Sequence, residues 1–144
     1  MRDKNRIKVS FDFDSTLSEK LMQRFAKFLV DNGVEVWITT SRYGNGKEPY
    51  PNWNDDLYLA AKRVGITREN VIFCQMSDKY KLIGDSEFVF HVDDDEIELD
   101  MIRENTNIVP IWYFGYVSMV QKECANAIRP IDNELSDKIM NYII

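Results

Sequence analysis

The chain has 144 residues, 44% of them hydrophobic and 29% charged, which is the makeup of one folded globular domain and excludes a disordered segment. A formal net charge of -6 gives no long-range attraction to nucleic acid, although a local basic groove would be hidden in that total. Cys74 and Cys124 lie far apart and read as reduced thiols of a cytoplasmic protein, the charged start MRDKNR carries no signal-peptide core, and no apolar run approaches the roughly 20 residues of a membrane span.

In chain order, residues 7–13 alternate Ile7, Val9, Phe11 and Phe13 with polar residues and predict a strand. Residues 18–32 place Leu21, Phe25, Phe28 and Leu29 at helical spacing and end at Asn32-Gly33. VEVWITT (34–40) is a second strand, followed by a loop over 41–53 and a helix over 54–64 closed by Gly65. A short strand over 71–74 and a short helix over 78–83 come next. Then follow a strand over 88–92, a helix over 95–104 and a fifth strand over 108–113. The tail from Ser118 reads as two helices parted by Pro130. Such alternation predicts a doubly wound, Rossmann-like α/β fold: five parallel strands, helices on both faces, one domain over 1–144. Ligands of these folds bind beyond the carboxyl ends of the strands.

Four groups fall at those ends: Asp12 and Asp14, then Thr39-Thr40-Ser41-Arg42, then Lys79 and Lys81, then Asp93-Asp94-Asp95. Several carboxylates in one semi-buried cleft repel one another, and a hard cation such as Mg2+ would neutralise them while leaving room for a substrate phosphate. A calcium loop of the EF-hand kind does not fit, because Leu17 and Gln23 stand where Gly and Glu are needed.

DFDST after an apolar strand, a strand ending in Thr40, a lysine and VFHVDDD, in that order, resemble the haloacid dehalogenase superfamily of phosphohydrolases over residues 7 to 113. The resemblance implies that Asp12 is the nucleophile, forming an aspartyl-phosphate. It implies that Asp14 is general acid and base, with its main-chain carbonyl on Mg2+, and it argues for phosphate transfer rather than dehalogenation. It further implies that Thr40 binds the phosphoryl oxygens, that Lys79 balances charge, and that Asp94, with Asp93 beside it, holds Mg2+ together with Asp12. Many members carry Gly where this chain has Ser15. No interval is long enough for the cap domain that usually selects the substrate, so a nucleotide, a nucleic-acid end or another phosphomonoester fits an open site.

Alternatives remain at several positions. Thr39 or Ser41 could replace Thr40, and Lys81 could replace Lys79. Asp95 reads as a helix cap, His91 as a packed residue sharing a strand face with Asp93, and Trp37, Trp112 and Phe114 as core. Arg42 could meet substrate phosphate or pair with a carboxylate. The loop YGNGKEPYPNW (43–53) is long for an α/β connection; Tyr43, Tyr50 and Trp53 could stack on a base, and Lys47 could meet a phosphate. With Ser41 and Arg42, Tyr50 and Trp53 are the candidate substrate-binding residues. A phospho-receiver domain has its acids, Thr and Lys in another order. A phosphate-binding or interaction module without turnover is the rival function.

Overall fold

The computed structural model describes residues 6–144, so most of the N-terminal MRDKNR, read above as free of a signal segment, lies outside the described residues. Five strands form one parallel sheet: β1 (Lys8–Phe11), β2 (Glu35–Thr40), β3 (Val71–Phe73), β4 (Phe88–Asp93) and β5 (Val109–Trp112). Their order is β3-β2-β1-β4-β5, so the chain reverses direction across the sheet between β1 and β4. That pair forms the switch point, where the loops leaving two adjacent strands part toward opposite faces and open a crevice.

Helices α1 (Lys20–Asp31), α2 (Asp55–Val64) and α5 (Val117–Ile128) cover one face; α3 (Lys79–Ile83) and α4 (Glu96–Asn105) cover the other, and α6 (Asn133–Asn141) packs on α5. The larger core joins Val9, Phe11, Ile38 and Val92 of the sheet to Phe25 and Leu29 of α1, Leu57 of α2 and Val120 of α5. A smaller cluster of Ile83, Phe88, Ile102 and Ile108 lies under α3 and α4. The two C-terminal helices are locked by side chains reaching main chain: Gln121 Nε2 donates to Ile139 O at 2.6 Å, and Ser136 Oγ to Ala125 O at 2.7 Å. Pro130 lies between them, as its missing N–H requires.

Helix and strand limits agree with the sequence reading within two residues, and the difference that bears on the site is at β1, which ends at Phe11 instead of Phe13. A wide turn, Phe13–Leu17, replaces the last strand residues, closed by Leu17 N–H to Asp12 O at 3.1 Å and Ser18 N–H to Phe13 O at 2.9 Å. The turn needs Ser15 at φ 60°, a left-handed conformation that glycine adopts without cost and serine tolerates at some expense. Only this turn and α1 separate β1 from β2, and only the loop over 41–54, α2, β3, α3 and the turns joining them separate β2 from β4; there is no cap. Among the described residues no helix is long and apolar enough to cross a membrane.

The aromatic assignments need correction. Trp37 is half-buried, packed edge-on against Phe88, but Trp112 and Phe114 are 40% and 43% exposed. Trp112 ends β5 and Phe114 lies two residues beyond it; β5 is a sheet edge, where alternate residues have no second layer over them.

Candidate active site

Asp12 follows β1 directly, and its N–H bonds to Val92 O of β4 at 2.8 Å, so the residue stands over the β1–β4 crevice. Its carboxylate is buried, as are Lys79 and Asp93. Lys79 Nζ lies 2.7 Å from Asp12 Oδ1 and 2.6 Å from Asp93 Oδ2. One cation therefore serves two buried carboxylates, leaving one excess negative charge. Burial pushes the Asp12 carboxyl well above its ordinary value, with Asp93 adding to the rise and Lys79 opposing it. Burial alone would lower the Lys79 ammonium, but the two carboxylates more than reverse this and raise it.

The other Asp12 oxygen accepts from Thr16 Oγ1 at 3.2 Å, and the same hydroxyl lies 3.5 Å from Asp94 Oδ1. Asp94 is exposed, and each of Asp12, Asp93 and Asp94 places a carboxylate oxygen within 4.8 Å of the others. Both oxygens of Asp93 are already engaged, Oδ2 by Lys79 and His91 and Oδ1 by the Asp95 N–H at 3.1 Å. Asp94 and the Asp12 oxygen that meets only the Thr16 hydroxyl are the pair best placed for a hard cation, and an excess negative charge beside them suits one. Asp14 is absent from this cluster; its only route to such an ion is the main-chain carbonyl that the resemblance assigns.

Beneath the carboxylates a chain of hydroxyls and imidazole crosses three strands. Ser10 Oγ lies 2.7 Å from Thr39 Oγ1 and 2.9 Å from His91 Nδ1, and His91 Nε2 lies 2.8 Å from Asp93 Oδ2. Burial lowers the His91 pKa, against the pull of Asp93. The neutral ring is therefore assigned with Nε2–H donating to Asp93 and Nδ1 accepting from Ser10. Because the unfolded chain takes up a proton near pH 6.5 and the folded one does not, stability should fall as pH drops from about 6.5 toward 5. Chemical denaturation across that range should show the slope, and His91→Gln should flatten it.

Asp14, exposed in the wide turn, faces the other way. Arg42 donates to it twice, Nε at 3.0 Å and Nη2 at 2.7 Å, and grips Asp56 with Nη1 at 2.7 Å and Nη2 at 2.9 Å. The guanidinium also lies over the Phe13 ring at 4.9 Å. Of the two readings of Arg42, carboxylate pairing is the one present. Asp14 and Asp12 thus have separate partners, Arg42 for the one and Lys79 for the other.

Asp14 and Arg42 also line an open cavity of about 580 Å³ with Tyr50, Asn52, Trp53, Asp55 and Asp56. Tyr50 and Trp53 meet edge to face at 5.1 Å. The loop that carries them is anchored at both ends: Asn54 Nδ2 donates to Tyr43 O at 2.9 Å, and Gly44 sits against Phe73 where a Cβ would fall 2.3 Å from the ring. Lys47 and Tyr43 are exposed.

The remaining candidates resolve by position. Thr40, fully buried at the end of β2, accepts from the Arg42 N–H at 3.2 Å, whereas Thr39 is tied into the Ser10–His91 chain. Ser41 contributes its carbonyl to Met76 N–H at 2.9 Å. Lys81 is exposed, 3.6 Å from Asp78, and takes no part in the carboxylate cluster. Asp95 caps α4, accepting from Ile97 and Glu98 N–H. Thr16 and Asp56 join the site although the sequence reading assigns neither a role. Thr16 was visible as the last residue of DFDST, and Asp56 was masked because an acid in a first helical turn is ordinary.

No protein-family model matches this sequence, and no curated protein matches it.

Proposed function

We propose that the chain is a Mg2+-dependent phosphomonoesterase of the haloacid dehalogenase type. The supporting observation is the Asp12 carboxylate, buried at the switch point with one oxygen on Lys79 and the other turned toward Thr16 and Asp94. Asp12 and Asp94 would hold the ion, which supplies charge neutralisation for an incoming phosphate dianion. Asp12 attacks phosphorus, the bond to the leaving oxygen breaks, and Asp14 gives that oxygen its proton. Water then attacks the same phosphorus, Asp14 takes its proton, and the Asp12 carboxylate departs from inorganic phosphate. Lys79 would offset the charge on Asp12 throughout, and Thr40, at the end of β2, would offer its hydroxyl to a phosphoryl oxygen. Arg42 fixes Asp14 at the mouth of the cavity, between the leaving group and solvent. Cys74 and Cys124 are both buried free thiols, which suits a reducing cytoplasm.

Isothermal calorimetry tests the metal assignment. Asp94→Asn should weaken Mg2+ binding by about tenfold or more, while Asp95→Asn should leave it unchanged and keep the α4 cap, since Asn caps a helix about as well as Asp. The reverse order would place the metal one residue further on.

The adjoining cavity is where the leaving group would be read. Replacing Tyr50 and Trp53 together by Ala should raise KM for a nucleotide substrate by about 5- to 150-fold, the effect of losing one stacked base. A simple aryl phosphate, held by its phosphate, should be affected far less; equal losses would mean that the loop only supports the fold. The rival reading, a phosphate-binding module without turnover, uses the same residues and is separated from this one by turnover itself.

A further inference from the structure

The Arg42 guanidinium carries five N–H groups, and all of them are engaged. Nε and Nη2 donate to the two oxygens of Asp14, and Nη1 and Nη2 to the two oxygens of Asp56. The remaining N–H of Nη1 points to Trp53 O at 3.5 Å. The two carboxylates differ in what else holds them. Asp14 lies in the Phe13–Leu17 turn, its side chain is 58% exposed, and Arg42 is its only side-chain partner among the described residues. Asp56 stands on the first turn of α2, where its Oδ1 also accepts the Leu57 N–H at 2.9 Å, so its carboxylate is tied to the helix.

An exposed ion pair between two mobile side chains orders neither of them. Arg42 is different because three contacts fix its plane without Asp14: the two-point grip of Asp56, the Trp53 carbonyl and the Phe13 ring 4.9 Å away. The Arg42 side chain is only 16% exposed. Its Nε–H and one Nη2–H are therefore presented in a set direction, and Asp14 sits where they point. Support runs from α2 through Asp56 and Arg42 to Asp14. Without Asp56 the guanidinium would keep a single carboxylate partner, itself on an exposed turn, and the direction would be lost.

We infer that Asp56 is a positioning residue for proton transfer, acting through Arg42 on Asp14. This rests on the phosphatase reading for the task of Asp14 but not for the chain of contacts. The two kinds of leaving group separate the role from a merely structural one. An alkoxide leaves phosphorus only as it gains a proton, whereas nitrophenolate leaves without one.

The test is kcat/KM, which covers the reaction up to loss of the leaving group, for glycerol phosphate and for nitrophenyl phosphate. Asp56→Ala should lower it about 10- to 100-fold for the alkyl ester, part of what a general acid supplies, and no more than about threefold for the aryl ester. Asp14→Asn should show the same selectivity with at least as large a loss. Adding Asp56→Ala to Asp14→Asn should cost no more than about twofold further, because the two act as one unit. Should Asp56→Ala fail to fold, Asp56→Asn, which keeps the shape and one acceptor, should give a smaller loss with the same selectivity.

A second readout needs no turnover. The Arg42 Nε–H resonance of isotope-labelled protein, assigned by its loss in Arg42→Lys, should exchange with water about tenfold faster or more in Asp56→Ala than in the wild type. Equal losses on the two esters, a further large loss in the double variant, or an unmoved Arg42 resonance overturns the inference. If the wild type hydrolyses neither ester, the phosphatase reading falls instead, and the resonance alone decides whether Asp56 holds Arg42.

Discussion

Lys79→Met should lower the unfolding free energy by about 3–5 kcal/mol at neutral pH, a melting-temperature loss of about 10 °C or more for a chain of this size. The side chain is 2% exposed and is the only cation against Asp12 and Asp93 among the described residues. Without it two carboxylates are left buried and unpaired, the costliest kind of single substitution. The pH dependence gives the cause away. In the variant the Asp12 carboxyl, already raised by burial and by Asp93, loses the lysine that opposes the rise, so the deficit is full at neutral pH and shrinks as acid protonates it. Lys81→Met, at an exposed position two residues on, should change stability by no more than about 0.5 kcal/mol. Denaturant titrations of the two variants at neutral and mildly acid pH make the comparison, and equal effects would remove Lys79 from the centre of the site.

Asp12→Asn should do the opposite: abolish phosphate release, by about 10⁴-fold or more, and leave the fold intact. Asn has nearly the same shape but cannot form the acyl phosphate. It also deletes the excess negative charge that Lys79 cannot offset, since the carboxyl of Asp12 is already raised by burial and by Asp93. The melting temperature of the variant should therefore equal or exceed that of the wild type. A variant that melts lower and loses activity in proportion would show Asp12 to be structural.

The fold was legible because its apolar runs are cleanly parted. VEVWITT and FVFHV have the continuous apolar character of strands covered on both faces, and Gly33, Gly65 and Gly84 punctuate the helices. The end of β1 was not legible, because Phe13 continues the alternation perfectly while Ser15 takes a backbone conformation that sequence seldom announces. Order along the chain picked out Asp12, Lys79, Asp93 and Asp94, which do meet at the switch point. Order could not show that one lysine bridges two of these acids, nor that Arg42 would hold Asp14 and Asp56 at once, since such pairings depend on distances across the sheet. The Ser10–His91–Thr39 chain was hidden for a related reason: a hydroxyl pointing into a strand interface looks the same in sequence as one pointing out. The exposure of Trp112 and Phe114 was missed because hydrophobicity does not say which strand will be an edge.

The most direct test is the release of inorganic phosphate from an aryl phosphate as Mg2+ is titrated into chelator-treated protein, with wild type and Asp12→Asn side by side and both shown to be folded by thermal melting. Saturable Mg2+-dependent release by the wild type, absent in the variant, is the expected result. No release by folded wild-type protein at any Mg2+ concentration, or equal release by both, would contradict a phosphomonoesterase working through Asp12.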